Sequence, residues 1–179
     1  MLQKSSVTRV MEVFFVNPTK SHYLMGISRN ISIAHTSVKK NLLRLVKLGL
    51  VEEKVEQRGG RKFPGYVAKR GENAFRRQKK VYNLSSILES GLIEYLEEKL
   101  TPKAIVLFGS YRRGEDVEDS DIDIFVECKE EPVDLAKFEK KLSRKIELHF
   151  NENFTAYSKE LKNNVINGIV LSGFLEGYR

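Results

Sequence analysis

The chain has 179 residues, 41% of them hydrophobic, which suffices for one or two domains with real cores, and a formal net charge of +7. Its one cysteine, Cys128, excludes an internal disulfide, no apolar run approaches the roughly 20 residues of a membrane span, and the N-terminus lacks the basic-then-apolar signal-peptide pattern; a soluble cytoplasmic protein making no use of a membrane is expected. The charge is uneven: residues 1–100 hold 19 Lys+Arg against 9 Asp+Glu and residues 101–179 hold 12 against 15, so a polyanion suits the first half and clustered carboxylates with a metal the second.

From Ser6 to Phe15 the apolar residues Val7, Val10, Met11, Phe14 and Phe15 recur every three to four positions, predicting an amphipathic helix that Asn17-Pro18 ends. A second helix is expected over about 21–29. In the stretch from Ala34 to Val51, Val38, Leu42 and Leu45 form one helical stripe and Gly49 supplies the stop. Opposite that stripe lie Thr36, Ser37, Lys39, Lys40, Arg44 and Lys47. An extended run over 50–55 and a returning run over 66–68 flank Gln57-Arg58-Gly59-Gly60-Arg61-Lys62, which reads as a hairpin with a cationic tip.

Three helices and a basic-tipped hairpin make a winged helix-turn-helix. Residues 5–70 resemble the winged-helix DNA-binding family, above all in the spacing Thr-Ser-Val-x3-Leu-x2-Leu-x3-Gly-Leu-Val over 36–51. The resemblance implies that residues 34–48 enter the major groove while the wing lies near the phosphate backbone. Lys39, Lys40, Arg44, Arg58, Arg61 and Lys62 suit phosphate contacts, and Thr36, Ser37 and Asn41 are short enough to reach base edges. Winged helices also serve as protein-interaction modules, so DNA is the expected but not the sole reading of this half.

Arg76-Arg77-Gln78-Lys79-Lys80 then opens a stretch continuing through Leu84, Ile87, Leu88, Leu92, Tyr95, Leu96 and Leu100 at helical spacing. It predicts a long linking helix, broken near Gly91, whose apolar seam must be covered by its own domains or by a second copy. Because winged-helix proteins that look like this one often dimerise, a homodimer is expected.

After Thr101-Pro102 the order reads strand, short helix, strand, helix, strand and helix, the last over about 156–171: a small α/β domain. The apolar run Ala104–Phe108 stops at Gly109-Ser110, where glycine lets backbone amides approach a phosphate and Ser110 adds a hydroxyl donor. Further on, Asp121 and Asp123 sit one residue apart, so in a strand they project together while Ile122 and Ile124 pack the other way. Their mutual repulsion is tolerable with a divalent cation between them, and oxygen ligands suit Mg²⁺ or Mn²⁺. In the strand Lys145–Phe150, Glu147 and His149 share the face opposite Ile146, Leu148 and Phe150. Glu147 is a candidate third carboxylate, and His149 is expected to be a neutral surface residue at the site edge.

Gly109-Ser110, ten residues, then Asp121-x-Asp123 resembles the signature of the DNA polymerase β-like nucleotidyltransferase superfamily, in particular its minimal branch, over residues 101–175. Arg113-Gly114 and Ser120 also match positions common in that branch. The resemblance implies a nucleoside triphosphate substrate, most often ATP, two Mg²⁺ ions, and transfer of a nucleoside monophosphate to an acceptor with release of pyrophosphate. It places Asp121, Asp123 and Glu147 on the metals, and Gly109, Ser110, Arg113 and Ser120 on the nucleotide. Glu147 departs from the aspartate commoner at that position, which puts turnover in doubt. Minimal nucleotidyltransferases of this kind are often antitoxins paired with a helical ribonuclease toxin, which they modify.

The expected architecture is therefore an α+β two-domain chain: a winged helix-turn-helix over 1–72, a linking helix over 73–100, and a nucleotidyltransferase domain with a small mixed sheet over 101–179. The expected function is Mg²⁺-dependent nucleotide transfer fused to a DNA-binding module, in the manner of an autoregulating antitoxin. The alternative is a winged-helix regulator whose second domain only binds nucleotide or a partner.

Overall fold

The computed structural model describes residues 4–58, 60–152, 154 and 157–176, which fall into two compact units, Met1–Lys79 and Lys80–Arg179. The first unit opens with helix α1 (Ser6–Val16), whose N-terminus is capped by the Ser5 hydroxyl accepting the Thr8 N–H at 3.3 Å. Strand β1 (His22–Tyr23), helix α2 (Leu24–Ile31) and helix α3 (His35–Lys47) follow. Val10 and Phe14 of α1, Ile27 of α2, and Val38, Leu42 and Leu45 of α3 are all buried, the face that helical periodicity marks in the sequence. Gly49 takes φ +70°, a left-handed conformation that glycine adopts without penalty, and turns the chain into the hairpin β2 (Val51–Arg58) and β3 (Arg61–Ala68).

The three strands are ordered β1-β3-β2 and wholly antiparallel, with Val51 opposite Ala68, Arg58 opposite Arg61, and His22 opposite Tyr66. Pro64 lies beyond the end of β1, where β3 has only β2 beside it and one missing N–H is tolerated. Strand β1 is absent from the sequence reading, where residues 21–23 start the second helix: two residues are too few to show alternation.

Helix α4 (Asn73–Ser90) crosses from the first unit into the second, and Gly91 at φ +82° separates it from α5 (Leu92–Leu100). The rest of the second unit runs β4 (Ala104–Leu107), α6 (Gly109–Arg113), β5 (Ile122–Val126), α7 (Ala136–Leu142), β6 (Ile146–Phe150), α8 (Lys159–Ile166) and β7 (Ile169–Gly173). Its mixed sheet has the order β6-β5-β4-β7, with β5 and β6 parallel and the other pairs antiparallel.

Strand alternation sorts this sheet's side chains into two cores. Ile105, Leu107, Ile122, Ile124, Val126 and Ile146 pack with Ile87, Leu92, Ile93, Leu96 and Leu100 of α4 and α5 and with Phe138 of α7. Ala104, Val106, Phe108 and Phe125 meet Phe154 and Val165 on the other face. The helical stretch expected to link two domains thus supplies part of one domain's core. Of the seam that suggested a second copy, Ile87, Leu92, Leu96 and Leu100 are buried within the unit, whereas Leu88 stays about half exposed.

The final helix is shorter than expected. Residues 167–171 are not helical but turn at Asn167-Gly168 into β7, which pairs antiparallel with β4. Gly168 permits the close turn, since a Cβ there would lie 2.4 Å from Val106 Cγ1 and 2.8 Å from the Leu107 carbonyl oxygen. Among the described residues no helix is long and apolar enough to cross a membrane.

Candidate active site

The site lies on the sheet face that carries the smaller core. Parallel pairing of β5 with β6 sets Asp123 directly opposite Glu147, and Phe125 opposite His149, so both acidic residues and the imidazole project from one face. Asp123 and His149 are about three-quarters buried, with side-chain exposures of 26% and 25%, whereas Glu147 is 59% exposed. His149 Nε2 is 3.7 Å from Asp123 Oδ1 and 3.9 Å from Glu147 Oε1. One ligand atom from each of the three residues lies within 4.8 Å of the others. Burial raises the Asp123 carboxyl above its ordinary value; Glu147 and Asp121 push it the same way and His149 opposes them. A divalent cation at this point would offset that crowding of negative charge, and the donor set fits one.

The turn that opens α6 is built onto this carboxylate. Gly109 has φ +71°, and a Cβ there would fall 1.9 Å from Asp123 Oδ2, so the position excludes every side chain. The Phe108 N–H donates to the Asp123 carbonyl at 3.0 Å, and the Phe108 ring meets the His149 ring edge-on with centroids 5.0 Å apart. The expected glycine-serine turn and the second aspartate therefore touch.

Behind the turn, the buried Asn83 amide donates to the Tyr111 carbonyl at 2.8 Å and to Asp116 Oδ1 at 2.7 Å, while Arg144 Nη2 lies 3.7 Å from Asp116 Oδ2. Burial pushes the Tyr111 phenol far above its ordinary value, with Asp116 adding to the shift, so it stays neutral.

The remaining expected residues take different places. Asp121 precedes the first residue of β5, is exposed, and with Ser120, Glu139 and Lys145 lines a cleft of about 590 Å³; it is not part of the Asp123, Glu147 and His149 set. Ser110 stands half-buried at the second position of α6. The Ser120 hydroxyl accepts the Val117 N–H at 2.9 Å and so holds the turn leading to Asp121. Arg113 makes an exposed ion pair with Glu115 at 2.7 Å. His149 is the residue that sequence reasoning undervalued: alternation puts it on Glu147's face, but only the parallel register brings it to Asp123.

In the first unit Thr36, Lys39, Lys40 and Arg44 are exposed on α3, Ser37 is half-buried, and Lys62 is exposed on β3. Asn41 departs from the expectation that it reads base edges. It is 8% exposed and its amide donates to Ser6 Oγ of α1 at 3.1 Å, which makes it an internal tie between two helices. The side chains of Arg58 and Arg61, and Gly59 between them, lie outside the described residues.

A small mixed sheet with a glycine turn packed against one of two adjacent carboxylates is the frame on which the comparisons with known proteins bear. The chain belongs to the nucleotidyltransferase family, whose domain model matches residues 89–171. Three similar chains from Methanocaldococcus jannaschii each carry the name "Putative protein adenylyltransferase". One is 46% identical over 63 residues, covering 35% of this chain and 72% of the relative. The others are 60% identical over 35 residues and 54% identical over 44 residues; the chain spans only 35% and 45% of their lengths. A solved structure described as "Possible transcriptional regulator from Methanosarcina mazei Go1" aligns over 52% of this chain and 79% of its own, at 19% identity and a TM-score of 0.38.

Proposed function

We propose that this protein transfers a nucleoside monophosphate, AMP in the first instance, from a nucleoside triphosphate to a hydroxyl of a protein acceptor, and that its first unit is a winged helix-turn-helix that binds DNA. The observation that carries the transfer reading is the packing of Gly109 on Asp123, with Glu147 in register beside it. One construction joins the turn that would receive phosphate oxygens to the carboxylate that would hold a metal.

In this reading Gly109, Ser110, Arg113 and Ser120 bind the nucleotide, and Asp121, Asp123 and Glu147 are the ligands of two Mg²⁺ ions, or Mn²⁺. Bound metal would neutralise the triphosphate. The acceptor hydroxyl attacks the α-phosphorus, the bond from that phosphorus to the oxygen bridging to the β-phosphate breaks, pyrophosphate leaves with the electron pair, and the hydroxyl proton passes to Glu147. The names of the Methanocaldococcus relatives support a protein acceptor.

The order α1, β1, α2, α3, β2, β3 and the exposed Lys39, Lys40, Arg44 and Lys62 support DNA binding, with Thr36 and Ser37 near base edges. A chain with both activities suits an antitoxin that modifies a helical toxin-like partner and represses its own operon.

Incubation with ATP labelled at the α-phosphate, Mg²⁺ and a lysate of the source cell tests the transfer. Label should enter a protein and vanish with Asp121→Asn plus Asp123→Asn; label that persists in that variant refutes the reading. The exposure of Glu147, one methylene longer than aspartate, favours a second reading, a DNA-binding regulator that only senses nucleotide. Tight nucleotide binding without transfer to any acceptor selects it.

A further inference from the structure

We propose that His149 is a metal ligand, so that of the two ions in that reading the one between Asp123 and Glu147 is bound through one nitrogen and two carboxylates and is Mn²⁺ or another first-row transition dication in preference to Mg²⁺, while the second remains free to be Mg²⁺. This rests on the reading of Asp123 and Glu147 as metal-holding residues and adds a nitrogen donor that the carboxylate-only set Asp121, Asp123 and Glu147 does not contain.

The imidazole is placed, not loose. His149 Nε2 is buried and has no hydrogen-bond partner, although two carboxylates face it. Its separations of 3.7 Å from Asp123 Oδ1 and 3.9 Å from Glu147 Oε1 are too long for hydrogen bonds. They match instead the roughly 3–4 Å expected between donor atoms that each sit about 2.1 Å from a shared ion. The ring's orientation is set by Phe108, edge-on at 5.0 Å, and its strand position by pairing with Phe125. A polar atom buried among carboxylates without a hydrogen bond costs free energy in the metal-free protein, and a bound cation removes that cost for all three groups at once.

The nitrogen donor decides which ion. Mg²⁺ takes oxygen ligands in strict octahedral geometry and sheds water reluctantly, whereas imidazole raises affinity for Mn²⁺, Fe²⁺, Co²⁺ and Zn²⁺. Among the described residues the nitrogen is the third donor that lies within 4.8 Å of the Asp123 and Glu147 oxygens, and Asp121, which lines the neighbouring cleft, can reach the same centre only as a further oxygen ligand.

The test uses Mn²⁺ as the probe on the full chain after chelator treatment. Electron paramagnetic resonance counts free and bound Mn²⁺, and electron spin echo modulation reports a directly bonded ¹⁴N. Bound Mn²⁺ should show nitrogen modulation that His149→Ala abolishes. In the same variant Mn²⁺ affinity should fall by about tenfold or more, while Mg²⁺ affinity, read by competition, falls by less than about threefold. His149→Gln, which keeps a polar side chain of similar reach, should also lose the modulation and serves if the alanine variant fails to fold. Mn²⁺ bound without nitrogen modulation, modulation that survives both substitutions, or no Mn²⁺ binding overturns the assignment. Because none of these readouts involves turnover, a failure of nucleotide transfer is distinguishable from a failure of His149 to ligate.

Discussion

Replacing Gly109 by alanine separates two effects that share one residue. Its φ of +71° places any side chain in the left-handed region, at a cost of about 1–2 kcal/mol. The added Cβ also falls 1.9 Å from Asp123 Oδ2, where ordinary van der Waals contact begins at 3.4 Å, so the carboxylate must retreat by about 1.5 Å. A displacement of about 1 Å at a reacting centre costs on the order of 100-fold in rate, so Gly109→Ala should cut nucleotide transfer at least about 100-fold. Gly91→Ala is the matched control: φ is +82°, but nothing lies within 4 Å of the added Cβ. Each variant should lower the thermal midpoint by several degrees, since about 1 kcal/mol is worth roughly 4–8 °C in a unit of this size. Only Gly109→Ala should lose transfer of label from α-labelled ATP and weaken metal binding. Equal transfer by the two variants would refute the claim that the turn and the Asp123 carboxylate are built as one.

The other expectations are simpler. Lys39→Ala with Lys40→Ala should weaken binding to a promoter fragment and flatten the plot of log affinity against log salt by about 2, two phosphate contacts being lost; an unchanged slope counts against α3 lying on DNA. Asn83→Ala takes one hydrogen-bond donor from the buried Asp116 carboxylate, which keeps Arg144, and from the Tyr111 carbonyl; it should destabilise the second unit by about 2 kcal/mol in urea titrations, and an unchanged midpoint would refute a structural role for this amide. Gly168→Ala puts a Cβ 2.4 Å from Val106 Cγ1 and 2.7 Å from the Val165 carbonyl oxygen; amide exchange along β7 should accelerate, and unchanged protection would mean the turn adjusts freely.

Much of the architecture is written in periodicity. The stripe Val38, Leu42 and Leu45, the break at Gly91, and the alternation around Asp123 are local patterns, and each appears in the structure where the sequence places it. What depends on pairing partners is not local. Asn41 has the composition of a base-reading residue, yet α1 offers it Ser6 and draws it inward. Residues 169–171 continue a helical pattern in the sequence, but they open β7, which fills the edge of β4. His149 resembles a surface histidine until parallel pairing fixes β6 against β5 and sets it beside Asp123. Asp121 and Asp123 look equivalent in the motif, but the strand begins at Ile122, so alternation governs only the second of them.

The most direct test of the central claim compares ATP labelled at the α-phosphate with ATP labelled at the γ-phosphate, using the wild-type chain, Mg²⁺ or Mn²⁺, and the same acceptor fraction. A nucleotidyl transfer built on Asp123 and Glu147 deposits the α-label on the acceptor, releases the γ-label as pyrophosphate, and loses both signals in Asp123→Asn. Acceptor labelling from the γ-phosphate, or α-labelling that survives Asp123→Asn, would contradict it.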